Sequence, residues 1–521
     1  MSFWSHFKTL SSSRTRVAAS TLWDQQTTYY QHHGIASWDN KVPYQITNSV
    51  YFAQVYAQSI VCYALDCRKK GYEGPIYIVE LGASHGQFMF RLIRHLEQIL
   101  PQHGLQLAEL TFFCCDCSDK MIRFWRSQPQ LEQYIKKGIL RTHLFHINYK
   151  QGIECDLPVE KWQNKKIVLI ANYFFDSLYQ NAFVHDDNKI YPIDVCVPDH
   201  TQHGCTTAQL EFVTDKDTPG ATFYDNPKKN GILLDHIRDD IQRFLMPDAA
   251  MDILDYFSSH TSQVLLLTSD KGLTSPEHHF YSDNMSFHAD GAISTTVNFF
   301  ALDKYVRFCH AGSSVLAPPS FPSDQLVFSS FAFLTHGKIK DYPKLFNHLS
   351  YYFQDYSFTD YHINQLILQK DNGYQSIQSV LASFKKVMYD PYILNHLLDK
   401  LRDLVENDSH YKPSWLQPAL LRLAENNYYI PNKAANCSFF LVARAATILK
   451  CYDEAIKLID IHKDLYGKNY YHFLLMAAYY FKQEDFKESH RYYNLALSQD
   501  PDCPESKRYL ELCENTIRTQ K

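Results

Sequence analysis

No stretch of the 521 residues reaches the roughly 18 consecutive apolar positions of a membrane-spanning helix, so the sequence offers no such span. Charge of one sign is also lacking. Lysine and arginine total 51 against 56 acidic residues, a formal net charge of −5, which supplies no broad attraction for nucleic acid or an anionic membrane. The cysteines number thirteen, an odd count without regular spacing, and form no disulfide framework. Cys114, Cys115 and Cys117 lie too close together for a four-ligand zinc site and suit reduced intracellular thiols; no metal is expected. His278, His279 and His288 have no acid at ligand spacing. No Gly-x-Gly-x-x-Gly fingerprint and no Ser/His/Asp set can be picked out.

What is present is ordinary globular composition, 45% hydrophobic, in a chain long enough for about three domains. Tyrosine (37) and phenylalanine (34) exceed usual packing needs, which suggests binding through aromatic faces. Residues 1–23 carry Lys8, Arg14, Arg16 and several serines but no acid, a composition that suits a transit peptide. The thin basic charge favours instead a weakly amphipathic N-terminal helix (Phe3, Trp4, Phe7, Leu10).

Strand and helix signals then alternate. Trp23–Tyr44 is aromatic and polar, with a loop at His32–Gly34, and Ser49–Leu65 has helical spacing. Apolar runs at Ile76–Leu81, Leu110–Cys115, Leu140–Ile147, Ile167–Ala171 and Val264–Leu267 read as buried strands. Met121–Tyr134 and residues 232–257 read as helices. Asn181–Val184, Ile190–Val197 and Leu210–Val213 are shorter strands joined by polar turns, an antiparallel insertion. The expected fold class is α/β, a doubly wound Rossmann-like sheet carrying that insertion. Pro318–Phe333 marks its end. Strand signals stop near Asp341, and Ile363–Leu368, Tyr392–Val405 and Leu416–Ala424 continue as helices.

Around Glu80-Leu81-Gly82-Ala83-Ser84-His85-Gly86 a buried strand enters a glycine turn and an amphipathic helix. Ligands of doubly wound sheets bind beyond the carboxyl ends of the strands. Glu80, Asp116, Asn148 and the Asn172–Asp176 segment gather at that edge. An acid ending the second strand is positioned to hold ribose, which points to an adenosine derivative. Glu80 would repel a dinucleotide's pyrophosphate but not the sulfonium of S-adenosylmethionine.

The Glu-Leu-Gly-Ala-Ser-His-Gly turn resembles the first motif of class I S-adenosylmethionine-dependent methyltransferases. Ile170–Leu178 is similar to the Ala-Asn-Glu-Phe-Phe-Asp-Ala-Leu-Pro segment of the MidA family, which contains mitochondrial complex I assembly methyltransferases. Ile46–Ser49 and Ala292–Phe299 resemble two further segments of that family in the same order. The resemblance covers roughly residues 25–310. It implies that Glu80, Gly82, Ala83, Gly86, Asp116 and Asn148 hold the donor and that Asp116 takes its ribose. It further implies that Asn172 and Asp176 serve catalysis and that Tyr173, Phe174 and Phe175 meet the substrate. The acceptor would be a protein side-chain nitrogen, arginine by preference. Tyr173 stands where the family has Glu, Ser84 where it has the middle glycine, Tyr179 for Pro and Asn298 for Asp.

A 34-residue shift aligns Phe439 with Phe473, Ala443 with Ala477, Tyr452 with Phe486 and Ala455 with Ser489. That period resembles the tetratricopeptide repeat, with Tyr509, Leu512, Cys513 and Ile517 on a capping helix. The expected domains are an N-terminal segment (1–24), a methyltransferase-like domain (25–335), a helical linker region (336–430) and an all-α tetratricopeptide-like domain (431–521). The chain reads as a methyltransferase whose repeats recruit a protein or peptide, with no nucleic-acid or membrane partner. The alternative is a catalytically impaired, cofactor-binding adaptor. The compartment reads as cytoplasmic, with mitochondrial the alternative.

Overall fold

The computed structural model describes residues 12–38, 47–186, 188–198, 210–236, 243–274, 293–316, 328–355, 376–431 and 437–519. The chain forms two compact units. One holds Met1–Asn48, Phe52–Ser127 and Leu131–His362; the other holds Ser49–Tyr51, Gln128–Gln130 and Ile363–Lys521. No described helix is long and apolar enough to cross a membrane.

Fourteen described strands build two sheets in the first unit: β1 Ser12–Arg16, β2 Ile76–Leu81, β3 Leu110–Asp116, β4 Leu140–Asn148, β5 Gly152–Cys155, β6 Lys166–Ile170, β7 Asn181–Asp186, β8 Lys189–Pro198, β9 Glu211–Thr214, β10 Arg243–Met246, β11 Gln263–Leu273, β12 Val297–Asn298, β13 Ser313–Leu316 and β14 Phe328–Leu334. The larger runs β13-β14-β11-β6-β2-β3-β4-β5, with β12 beside β11. Strands β4, β3, β2, β6 and β11 are parallel, while β14 runs against both β11 and β13. From β2 the chain steps outward through β3 and β4, then returns to β2's other side as β6. The order therefore reverses between β2 and β6, where a crevice opens beyond the strand ends. The apolar runs expected to be parallel strands are so; burial is nearly continuous along β2, β3, β6 and β11, whereas β4, beside the short strand β5, alternates.

The smaller sheet is the antiparallel insertion, in the order β1-β8-β7-β10 with β9 on β8. It corrects two readings. Ser12–Arg16 is a strand rather than part of a frayed helix, tied down by Arg16 to Asp194 at 2.7 Å and Asp215 at 2.7 Å. Phe3–Leu10 lie outside the described residues. The helical reading of 232–257 breaks at β10, whose Phe244, Leu245 and Met246 are buried against β7; Pro247 then precedes the helix Asp248–His260. In the stretch that marks the end of the domain, Phe328–Leu334 forms the last strand, β14, inside the larger sheet, with Phe331, Ala332, Phe333 and Leu334 all buried. A strand buried on both faces loses its alternation, which is why an aromatic run concealed it.

The aromatic and polar stretch from Trp23 begins as helix α1, Leu22–His33, which ends at Gly34, within the expected loop. Next come α2, Val50–Lys69, and α3, Gln87–Ile99. The expected helix at 121–134 is two, Asp119–Ser127 and Pro129–Lys136, the second opening on proline, which suits a first helical turn.

The second unit shows no strand among its described residues. Its helices are Ile377–Lys386, Leu394–Asn407, Gln417–Glu425, Ser438–Ile448, Tyr452–Tyr466, Tyr470–Lys482, Phe486–Gln499 and Pro504–Thr519. Small residues at the aligned positions, Ala443, Ala455, Ala477 and Ser489, are fully buried, which lets neighbouring backbones approach. Ser489 Oγ donates to the Ala477 carbonyl at 3.0 Å, and the Tyr493 and Tyr509 rings stack at 5.7 Å. The helix expected at Ile363–Leu368 lies outside the described residues.

Candidate active site

Near the end of β2, Glu80 is registered against Cys114 of β3 and Ile170 of β6, and after Leu81 the chain turns over the sheet edge. Gly82 (φ 65°) and Gly86 (φ 77°) occupy the left-handed region that glycine enters without steric cost. Ser84, where the resembled motif has glycine, is forced there too at φ 52°. Three contacts hold the turn. Ala83 N–H donates to the Cys115 carbonyl at 3.1 Å, Gly86 N–H to the Ala83 carbonyl at 2.8 Å, and Trp125 Nε1 to the Ser84 carbonyl at 2.7 Å. Gly86 is the N-cap of helix α3, placing the helix N-terminus beside the turn.

Glu80 is 5% exposed, and its Oε2 is buried without a hydrogen-bond partner. Burial, reinforced by the charge of Asp116, pushes its carboxyl well above the usual range. Asp116 ends β3, half-buried, and accepts from Ser118 N–H at 3.1 Å. Burial outweighs that bond and raises its pKa to about 6. An orphaned acceptor beside a second carboxyl is costly for a fold and useful for a ligand rich in donors.

A cleft opens beside this turn, lined by Gly82, Asp116, Tyr173 and Phe174 of the expected set. Glu80, Ala83 and Gly86 form the turn itself without lining the cleft. Its roof is not apparent from the sequence: Gln26, Thr27 and Tyr30 of α1, with Cys117, His146 and Ser177 around the rim. Gln26 fixes α1 there by a two-way bond with Ile293, its amide donating at 2.8 Å and accepting at 2.6 Å. The sequence signal for this roof is slight, since α1 has a weak apolar stripe.

The cleft is narrow. Its volume is about 90 Å³, whereas ligand pockets commonly span about 300–1,000 Å³. Phe174 explains this, because a Cβ placed on Gly82 would lie 2.7 Å from the Phe174 ring. A larger cavity of about 320 Å³ sits at the opposite edge, between the starts of β2 and β3. There Arg68 and Glu109 pair, and the strands contribute their starts rather than their carboxyl ends.

Four expected site residues are placed elsewhere. Asn148 does not reach the cleft: its Oδ1 accepts from Lys150 and Gln151 N–H across the β4–β5 turn, and its amide donates to Asp24 at 2.8 Å. Asn172 is taken up inside the fold, accepting from Tyr56 Oη at 2.9 Å and Ser269 N–H at 3.1 Å. Phe175 turns into the core at 2% exposure, since the segment turns tightly there and alternate side chains face opposite ways. Asp176, also 2% exposed, accepts from Ser177 Oγ at 2.9 Å and Ser294 Oγ at 2.8 Å, and lies 3.5 Å from the Lys271 ammonium. It stands beside the cleft, its charge felt by Tyr30, but does not line it.

The segment carrying these residues is pinned by Asp270 of β11. Its Oδ2 accepts from both Phe174 and Asp176 N–H at 3.1 Å, and its Oδ1 from Lys271 N–H at 2.7 Å. Tyr173 is held at φ 50°, a conformation costly for an aromatic residue and a mark of functional or strained segments. The Asn298 departure has a structural reason. Its Oδ1 caps the helix Phe299–Cys309 by accepting from Ala301 N–H, and its amide donates to the Leu245 carbonyl at 2.9 Å and meets His236 at 2.8 Å. An aspartate has no donor for that carbonyl.

No family model and no curated protein matches the chain. Among solved structures it is similar to a Burkholderia thailandensis protein bound to S-adenosyl-homocysteine, with 14% identity over 55% of this chain and 76% of the other, TM-score 0.33. It is also similar to the magnesium protoporphyrin IX methyltransferase of Synechocystis with bound SAM, with 10% identity over 61% of this chain and 99% of the other, TM-score 0.27. Likenesses of this size carry no functional weight, and the functional reading rests on the cleft.

Proposed function

We propose that the sheet unit is an S-adenosylmethionine-dependent methyltransferase domain. One observation carries this reading: the unpartnered, buried Glu80 carboxyl under a left-handed glycine turn, with Asp116 beside it at the point where the strand order reverses. The polar set fits the donor. Backbone at Gly82 gives close approach, Asp116 takes ribose hydroxyls from the cleft wall, and Glu80, beneath the turn, takes a donor N–H group once the turn shifts. Displacing the Phe174 ring from Gly82 would widen the cleft for the donor. Bound there, S-adenosylmethionine would supply an electrophilic methyl group for in-line displacement, and the protein's task would be alignment and exclusion of water.

The helical unit, read as tetratricopeptide-like from its aligned small residues, would recruit a protein or peptide acceptor. Arginine as the methylated residue rests on the resemblance alone. A cytoplasmic setting is supported by the twelve described cysteines, all free.

A second reading, a donor-binding adaptor with little catalysis, is favoured by two observations: Phe174 narrows the cleft, and Lys271 already pairs Asp176. Calorimetry with S-adenosylmethionine on the wild type and Gly82→Asp tests the shared premise, and absence of wild-type binding removes both readings. With binding present, tritiated-methyl incorporation into lysate proteins supports the enzyme. Binding without incorporation supports the adaptor.

A further inference from the structure

The resembled family segment would place Asp176 at the acceptor mouth, free to hold a cation. In this chain that carboxylate is not free. The Lys271 ammonium lies 3.5 Å from its Oδ2 and donates to Ser294 Oγ, whose own hydroxyl donates to the same Asp176 oxygen at 2.8 Å. The ammonium also sits over the Tyr173 ring, 5.4 Å from its centroid. A carboxylate, a hydroxyl and an aromatic face around one ammonium form a complete cation seat. Tyr173 and Ser177, which flank it, both line the cleft.

Charge on the neighbouring groups does not reopen the seat. Asp270 is fully buried and accepts from three backbone N–H groups, so it offers nothing to an incoming cation. Tyr173 brings no negative charge where the resembled family has a glutamate. An arriving guanidinium would have to expel Lys271 from a side-chain environment only 15% exposed, and would meet its positive charge on approach.

We propose that Lys271 is a specificity-determining residue, an internal occupant of the cation seat, so that the acceptor is an uncharged polar nucleophile rather than an arginine or lysine side chain. This rests on the methyltransferase reading for its consequence, but the seat itself can be measured without donor. The probe is N-acetyl-arginine amide, added to the full-length protein and followed by calorimetry and by the melting temperature. Wild type and Lys271→Arg, which keeps a cation in the seat, should show no binding. Lys271→Ala should bind the probe and gain melting temperature as its concentration rises. Lys271→Ala combined with Asp176→Asn should bind at least about tenfold more weakly than Lys271→Ala alone, the loss of a charge-assisted contact.

Probe binding by the wild type overturns the proposal, as does a Lys271→Ala protein that neither binds the probe nor is stabilised by it. Should Lys271→Ala melt too low for calorimetry, its melting temperature is followed with ethylammonium: rescue of the variant without effect on the wild type supports the proposal, and no rescue overturns it. Failure of S-adenosylmethionine to bind the wild type would remove the methyltransferase reading and leave the seat measurement standing, so the two failures are distinguishable.

Discussion

Phe174 rests against Gly82 so closely that the glycine's missing side chain is the space the ring occupies, 2.7 Å from where a Cβ would be. The two residues come from the turns after β2 and β6, the strands flanking the reversal in strand order. Their contact sets the width of the cleft. Phe174→Ala should therefore tighten S-adenosylmethionine binding about tenfold, roughly 1.4 kcal/mol, by removing the cost of displacing the ring. Calorimetry decides, and weaker binding would mean that the ring stacks on the donor instead. Gly82→Ala should act oppositely, costing about 1–2 kcal/mol of stability from its left-handed backbone and abolishing donor binding.

Glu80 is a buried acid with an unpartnered oxygen, so its role in binding and its role in stability oppose each other. Its folded pKa is raised, so its favourable contribution to folding is complete below the unfolded value of 4.5 and is lost as pH rises through the folded one. Glu80→Gln should raise the melting temperature at neutral pH and flatten that pH dependence, while weakening donor binding at least about tenfold. A variant that is both less stable and fully competent to bind would contradict the assignment.

Asp116 titrates near about 6, raised from 3.8 by burial. Its stabilising contribution is full below 3.8 and gone once pH has risen through about 6. Donor binding should run the other way, because ribose hydroxyls donate more strongly to the charged carboxylate. Affinity should fall as pH drops through about 6, and Asp116→Asn should bind weakly at every pH. Calorimetric titrations on either side of that value provide the check.

Asn298→Asp would restore the residue of the resembled family and should nonetheless destabilise this protein by about 1–3 kcal/mol, since the Leu245 carbonyl loses its donor inside the core. His236, whose pKa burial lowers to about 4, would rise beside the new carboxylate. Chemical denaturation with the histidine followed by NMR separates the two effects.

Much of the site was legible because it is local in sequence. The Glu80–Gly86 turn needs only a buried strand, two glycines and a helix start, and each leaves a composition signal. The Asp116 strand tip was readable for the same reason. Asn148 misled because a polar residue after a strand serves a hairpin turn as readily as a ligand. Asp176 misled because its partner, Lys271, lies on another strand and its second contact, Ser294, on a distant loop.

The parallel strands, the antiparallel insertion, the glycine turn and the helical tail are written in hydrophobic period and backbone preference within a few residues. That α1 covers the cleft, that β14 enters the sheet, that Phe174 fills the space over Gly82 and that Lys271 pairs with Asp176 emerges from the folded chain. These depend on which distant side chains close packing brings into one volume, and nothing in the local pattern of either partner records that choice.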